Sequence, residues 1–465
     1  VVAVVNSAAS SVLVVGGGIA GLAAAVRLAE AGARVTLLET RRKLGGRATS
    51  FTDVRTGRVL DNCQHVVLGC CTNYLDLLAR LGAAEKIRWH DEQYWVEGGR
   101  VSVIRPGPLP APAHFGVSML CAPLLTLRES SSIGRCCVAI LRTDRAAWRS
   151  RTFGEFLREH GQGERVVRRF WEPVVVSACN LAVERVAASV ALHVFQEGFL
   201  ANRAAARIGV PSVPLVELYE RAESIIAAAG GRVELGAGVE TIDARGATTT
   251  DGRRIEADAV VCAVPVERVN RLVSGADRAR DPRFAPLERF THSPILGVHM
   301  EFDRNVLGDM PHCVLVERPT QWLFRKNEEG TYVHAVVSAA DGWVALDEDE
   351  IGRRVLADVH ACLPASRSAS LVRVRAVKEK LATFAPTPES ETIRPGAAGP
   401  SGIVLAGDYT DTGWPATMEG ATRSGYAAAA AVLGRETGAF IVPSRPVARL
   451  SAVLGLRPGR RVASL

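Results

Sequence analysis

The sequence predicts an α/β fold large enough for two parts, on three observations. The chain has 465 residues, against roughly 150 for a typical domain. It is 48% hydrophobic and 23% charged, a balance that supports a sizeable core and excludes disordered, collagen-like and coiled-coil chains. Near both ends an apolar strand-like run enters a glycine-rich turn and then a small-residue helix: SVLVVGGGIAGLAAAVRLAEAG at 11–32 and GIVLAGDYTDTGWPATMEGATRSGYAAAAAVLG at 402–434.

The first of these runs carries the clearest chemistry. Gly16, Gly18 and Gly21 form G-x-G-x-x-G between a buried strand and a helix, and RVTLLE closes a second strand at Glu39. The 28-residue unit Val12–Glu39 has Rossmann proportions. Gly16 permits the tight turn, Gly18 lets backbone approach a pyrophosphate, and Gly21 lets helix and sheet meet. Helix N-terminal N–H groups then face phosphate. Glu39 falls 18 residues after Gly21, where a carboxylate can accept both ribose hydroxyls. A glycine-rich turn in an unrelated α/β protein is the plainer alternative, and the strand–turn–helix context argues against it.

The second run decides between dinucleotides. The strand Ile403–Ala406 ends in Gly407-Asp408, and a helix is expected from about Ala416. Asp408 can hold a polyol such as ribityl. The helix N-terminus can face the electron-rich edge of an isoalloxazine and stabilise its anionic reduced form. The cofactor expected is therefore FAD.

Charge and cysteine content exclude other classes. Of 56 basic residues five are Lys, and the last 25 residues hold Arg445, Arg449, Arg457, Arg460 and Arg461 with no acid, so the body is nearly neutral. No basic stripe with interleaved aromatics argues for nucleic acid. Ten cysteines without a CxxC pair fit neither a disulfide scaffold nor a zinc site, and point to a reducing compartment. No metal, paired-carboxylate or Gly-x-Ser-x-Gly constellation is present.

Residues Val1–Ser11 are apolar but lack a positive n-region, which makes a poor signal peptide. Between Arg105 and Arg128 lie 22 residues without a formal charge. Prolines 106, 108, 110, 112 and 123 oppose a spanning helix. Two readings stay open for 106–127: the wall of an apolar pocket, or a lip dipping into one membrane leaflet.

The motifs together resemble the flavin amine oxidase and carotenoid desaturase superfamily, of the glutathione-reductase-like FAD class. Its E-x-R-x-x-x-GGR pattern matches Glu39, Arg41, Gly45, Gly46 and Arg47, and its GD-to-MEGA segment matches Gly407, Asp408, Trp414, Met418, Glu419, Gly420 and Ala421. GGRVELGAGVETI resembles the family's adenine-side strand, with Val239 as the apolar contact; ADAVVCAVP resembles a strand returning to the FAD sheet. The resemblance implies a discontinuous FAD-binding Rossmann domain at 1–60, 215–290 and 395–440. It leaves an α+β substrate domain at 61–214 and 291–394, and a basic tail at 441–465.

Finer marks resemble one branch, the hydroxysqualene dehydroxylases: LDNCQHVVLG at 60–69, FWEPVVVSACN at 170–180, QWLF at 321–324 and KEKLATF at 378–384. Cys63 stands where that signature has glycine. The branch implies reductive removal of a hydroxyl from a C30 isoprenoid alcohol, giving squalene. Such a site needs a proton for the leaving oxygen, aromatic faces for developing positive charge, and an apolar tunnel. His65 is the candidate acid and Gln64 a candidate to orient water or hydroxyl. Their plainer readings are a structural histidine beneath the flavin and a cap on local backbone. Asp61 reads as a turn acceptor, and Asn180 and Trp171 as pocket lining or core. His114, His292 and His299 carry no assignment.

Competing functions on the same scaffold are a carotenoid-type desaturase, an amine oxidase, and a non-catalytic FAD-bound scaffold of a terpenoid complex. The electron source expected is NAD(P)H or a separate reductase, and further squalene-pathway enzymes are expected partners. The location expected is cytoplasmic, peripheral on the inner face of the cell membrane, held by 106–127 and the arginine tail.

Overall fold

Five short apolar runs, far apart in sequence, pair into one parallel sheet. In the computed structural model, which describes residues 11–457, the strand order is Arg232–Leu235, Arg34–Glu39, Ser11–Val15, Ala259–Cys262, Ile403–Leu405. The inner strands SVLVV and AVVC are almost wholly apolar because helices cover the sheet. The helix Ile19–Glu30 is buried along almost its whole length, and the helix Met418–Val432 lies against it. Their contact is close because Gly425 has no side chain: a Cβ there would sit 2.2 Å from Ala20 O.

A second, seven-stranded sheet runs Leu371–Phe384, His292–Phe302, Tyr332–Ser338, Trp322–Arg325, His312–Leu315, Gln93–Glu97, Arg100–Ile104. The pair His312–Leu315 and Gln93–Glu97 is parallel and the other pairs are antiparallel. The helix Glu348–Cys362 packs on one face through Ile351, Val355 and Val359. The helices Leu127–Arg142, Phe153–Glu159, Glu172–Cys179 and Ala188–Phe195 form a separate core around Trp171, Phe153 and Phe195. Trp171 is fully buried there, its indole donating to Gln162 Oε1 at 2.9 Å. Asn180, in the left-handed region at φ 53°, ends its helix and ties it to the sheet. It donates to Ser293 O and Thr383 Oγ1 and accepts from Ala339 N.

The uncharged run 106–127 is part buried and part exposed. Ala111, Leu124 and Leu125 are buried, whereas Leu109, Val117, Leu120 and Leu127 are exposed. Its longest helical piece is Gly116–Cys121, and Thr126 with Glu129 forms a capping box that starts the next helix. No described helix is long and apolar enough to cross a membrane.

Over its described part, to Arg457, the basic tail is docked on the body. Val442 exchanges backbone hydrogen bonds with the Asn73 side chain, Arg445 donates to Gly69 O, and Ala448 N donates to Ala201 O. Ser451 Oγ donates to Leu200 O, and Leu456 is buried in the helical core. These backbone partners hold the segment where hydropathy alone suggested none. Val1–Ser10, Arg460 and Arg461 lie outside the described residues.

Candidate active site

The glycine turn builds a groove with room at one atom and none at its neighbours. Gly16 has φ +110°, and a Cβ there would lie 2.6 Å from Ala263 O. A Cβ on Gly21 would lie 1.8 Å from Gly16 O, so turn and helix touch. At Gly18 the nearest atom to a Cβ is Gly46 Cα, 3.8 Å away. Gly18 also begins the helix Ile19–Glu30 without a side-chain cap, leaving the first N–H groups to a ligand, with anions preferred. Glu39, nearly buried, accepts Gly17 N at 2.7 Å and Arg41 N at 2.8 Å, one on each carboxylate oxygen. Each oxygen keeps a second lone pair for a ribose hydroxyl.

The Gly45-Gly46 turn closes over this floor: Gly45 N donates to Gly17 O, and Arg41 Nη1 donates to Gly46 O. Beside Glu39, Ala237 N donates to Glu39 O and Gly236 N to Arg41 O. A cavity of about 170 Å³ there is lined by Gly236, Ala237, Gly238, Thr249 and Thr250. Val239 is not among its lining residues; it packs in the core with Ile242 and Ala247.

The distal end of the groove joins both ends of the chain. Arg47 reaches Asp408 at 2.6 Å and also donates to Ala382 O. Burial opposes the Arg47 charge, and Asp408, Glu267 and Glu379 more than offset it. A Cβ on Gly407 would strike the Tyr409 ring at 2.2 Å. The helix after it starts one residue beyond Thr417, whose Oγ1 accepts Gly420 N, so Met418 is its first residue. Trp414 is buried beside Cys70 and Ala205, under the Arg423 guanidinium and edge-on to His193. Glu419, fully buried, accepts Asn73 N, Tyr74 N and Arg423 Nε, capping the helix Thr72–Arg80 from a distant segment. Floor, turn and helix offer backbone N–H groups, a carboxylate at each end and an open Gly18. That donor set fits FAD.

The Asp61–His65 turn lies against the face of the seven-stranded sheet. Asp61 accepts from Ser50 Oγ, Leu215 N and Lys326 Nζ, and Lys326 also donates to Gln64 Oε1 at 3.0 Å. Gln64 Nε2 donates one N–H to His65 O, which leaves its second N–H and a lone pair on Oε1. His65 Nδ1 donates to Cys63 O at 3.0 Å; the carbonyl can only accept, so the lone pair of the neutral ring is on Nε2. Burial pushes the His65 pKa below its ordinary 6.5, which keeps the ring neutral at rest. Beneath the turn His299 accepts from Tyr332 OH at 2.7 Å, donates to Asp61 O at 2.9 Å and stacks on His334.

Cys63, Phe324 and Val336 pack together beside His65, with Val210, Ile295 and Trp322 against them. Trp322 and Phe324 stack with centroids 5.5 Å apart and planes 14° from parallel. Lys326, Phe324, Val336, His299 and His334 are the residues the sequence did not assign. They come from strands 230 or more positions beyond Cys63, and only QWLF at 321–324 marked the place. Among the described residues no group of three or more His, Cys, Asp or Glu side chains is placed to hold a metal ion.

Parallel sheet, glycine floor and Gly-Asp helix define an FAD-dependent oxidoreductase. The profile described as flavin containing amine oxidoreductase matches residues 19–433, and the chain belongs to that family. It is 29% identical over 442 residues to the hydroxysqualene dehydroxylase of Rhodopseudomonas palustris, covering 91% of this chain and 98% of that one. To the probable zeta-carotene desaturase of Synechococcus elongatus it is 27% identical over 479 residues, with coverage of 91% and 98%. Among solved structures, putrescine oxidase bound to putrescine superposes with a TM-score of 0.66 at 17% identity, covering 92% and 99% of the two chains.

Proposed function

We propose that this FAD-dependent oxidoreductase removes the hydroxyl of hydroxysqualene reductively and forms squalene. The observation that carries the reading is the wall beside His65. Cys63, Phe324 and Val336 form a buried apolar cluster with Val210, Ile295 and Trp322 packed against it, a surrounding whose chemistry suits a C30 isoprenoid. Similarity to hydroxysqualene dehydroxylases at 28–29% identity supports it. Bound and reduced, FAD supplies a hydride.

In this reading Gly16, Gly18 and Gly21 take the pyrophosphate end of FAD, with Glu39 on the ribose and Arg41, Gly46 and Arg47 closing the groove. Gly407, Asp408, Trp414 and Met418 serve the flavin end, and Val239 backs the adenine side from the core. Protonated at Nε2 from solvent, His65 donates that proton to the substrate hydroxyl, which leaves as water and returns the ring to its neutral form with Nδ1–H still on Cys63 O. Gln64, locked by Lys326, holds the His65 backbone in place.

A carotenoid desaturase is the second reading, favoured by the 27% identity to a desaturase and by the same apolar wall. Anaerobic incubation of the reduced protein with hydroxysqualene separates the two. Flavin reoxidation together with squalene supports the dehydroxylase. No reoxidation with hydroxysqualene, but reduction of oxidised flavin by a carotene, gives the reaction to the desaturase class.

We place the protein peripherally on the inner face of the cell membrane. Exposed Leu109, Val117, Leu120 and Leu127 form an apolar rim beside Arg105 and Arg128. Aliphatic insertion and attraction to anionic headgroups act together there. A groove of about 600 Å³ runs between this rim and the edge strand Arg100–Ile104.

A further inference from the structure

The seven tryptophans of the chain divide into three groups. Trp95 and Trp171 are buried in the core. Trp89, Trp148, Trp343 and Trp414 each carry an arginine guanidinium, from Arg207, Arg151, Arg354 and Arg423, at 4.2–5.6 Å from the ring centre. Trp322 alone is half-buried and, among the described residues, has no cation over its ring. In a chain with 51 arginines, the one half-buried indole without a described guanidinium over it packs against the cluster that holds Cys63.

That indole is fixed in place. Trp322 Nε1 donates to Ser177 Oγ at 2.6 Å, and Ser177 Oγ donates to Pro173 O at 2.5 Å, so the helix Glu172–Cys179 holds the ring. Phe324 stacks on it, and His312 lies 5.7 Å from it. Burial lowers the His312 pKa to about 4, so that ring is neutral near pH 7 and does not repel a cation.

We propose that Trp322, backed by Phe324, is the group that meets the positive charge developing on the substrate carbon. The assignment rests on the dehydroxylase reading. As the C–O bond breaks, its electron pair leaves with oxygen, which takes a proton and departs as water; the electron-poor carbon persists until hydride fills it. The negative ring face stabilises that carbon where water would capture it.

The test uses the oxidised holoprotein and two ligands of one length: N,N-dimethyldodecylamine, charged at pH 7, and the neutral 1-dodecanol. Binding is read from the flavin spectrum. The wild type binds the ammonium ligand more tightly, by about 5- to 30-fold, the range of a desolvated cation–π contact. Trp322→Leu removes that preference at unchanged FAD content. Trp322→Phe, which keeps an apolar ring, retains part of it and serves if the leucine variant does not fold. Equal binding of the two ligands by the wild type overturns the proposal, as does an undiminished preference in both variants. Squalene formation with equal binding overturns the role of Trp322 and leaves the reaction standing. Charge preference without squalene formation overturns the reaction and leaves a cation-recognising ring.

Discussion

Arg47 and Asp408 stand 361 residues apart in sequence and 2.6 Å apart in space. The pair joins the N-terminal glycine turn to the C-terminal Gly-Asp strand, so each half of the flavin groove depends on the other. Arg47→Leu leaves a buried carboxylate with a lost charged partner, at a cost of about 1–3 kcal/mol. We expect a lower urea midpoint and faster FAD loss on gel filtration, with Arg47→Lys intermediate. An unchanged midpoint and FAD content would remove the pair from cofactor binding.

Gly18→Val tests the groove without disturbing the fold. Gly18 has φ −74°, which valine tolerates, and only Gly46 Cα approaches its Cβ position. The purified variant should be colourless, with a circular dichroism melt close to that of wild-type apoprotein. Retained flavin would show that the pyrophosphate lies elsewhere.

His65 gives a pH dependence with a definite sign. Its folded pKa is below 6.5 because burial penalises the charged ring, so the neutral ring predominates from pH 8 to 6.5 while its minor protonated fraction rises steadily as pH falls. If His65 delivers the proton, single-turnover dehydroxylation should accelerate from pH 8 towards pH 6. His65→Phe should keep FAD, slow the step by ~10²–10⁴-fold and flatten the profile. A wild-type rate independent of pH would hand the proton to water.

Two further histidines weaken the fold in acid. Burial lowers His299 and His312 to about 4, so the unfolded chain takes up protons near pH 6.5 that the folded chain refuses until about pH 4. Their contribution is whole above pH 6.5 and is lost as pH falls through that window. The urea midpoint should drop between pH 6.5 and 4, and less steeply in His299→Gln. Parallel curves for the two proteins would contradict this.

Membrane attachment should depend on the exposed rim. Val117→Asp with Leu120→Asp places charge on two side chains about half exposed (52% and 50%). We expect several-fold weaker sedimentation with anionic vesicles, and salt should weaken the wild type similarly. Deleting 441–457 should lower thermal stability as well, because those residues are docked on Asn73 and Ala201. Equal sedimentation of the double variant and the wild type would rule out the rim.

What could be read from the sequence was whatever the chain keeps local. Gly16, Gly18, Gly21 and Glu39 fall within one strand–turn–helix–strand unit, where spacing alone fixes geometry. The Gly407–Asp408 turn and the helix after it are likewise continuous. The wall beside His65 is not: Trp322, Phe324 and Val336 reach Cys63 through the pairing of Trp322–Arg325 with Tyr332–Ser338, and no spacing encodes which side of that sheet meets the turn. Lys326 on Gln64 spans 262 residues for the same reason. The docked tail escaped because backbone hydrogen bonds to Asn73 and Ala201 leave no mark in hydropathy or charge.

The parallel sheet has a consequence for how the protein comes into being. Its edge strand is Ile403–Leu405, and the carboxylate that joins Arg47 follows at residue 408. The flavin groove therefore cannot close until the chain has been made through residue 408. Until then the strand Ala259–Cys262 has an unpaired edge and the sheet lacks the Met418–Val432 cover over its first helix. Capture of FAD thus waits until both of these distant segments have been made and have met.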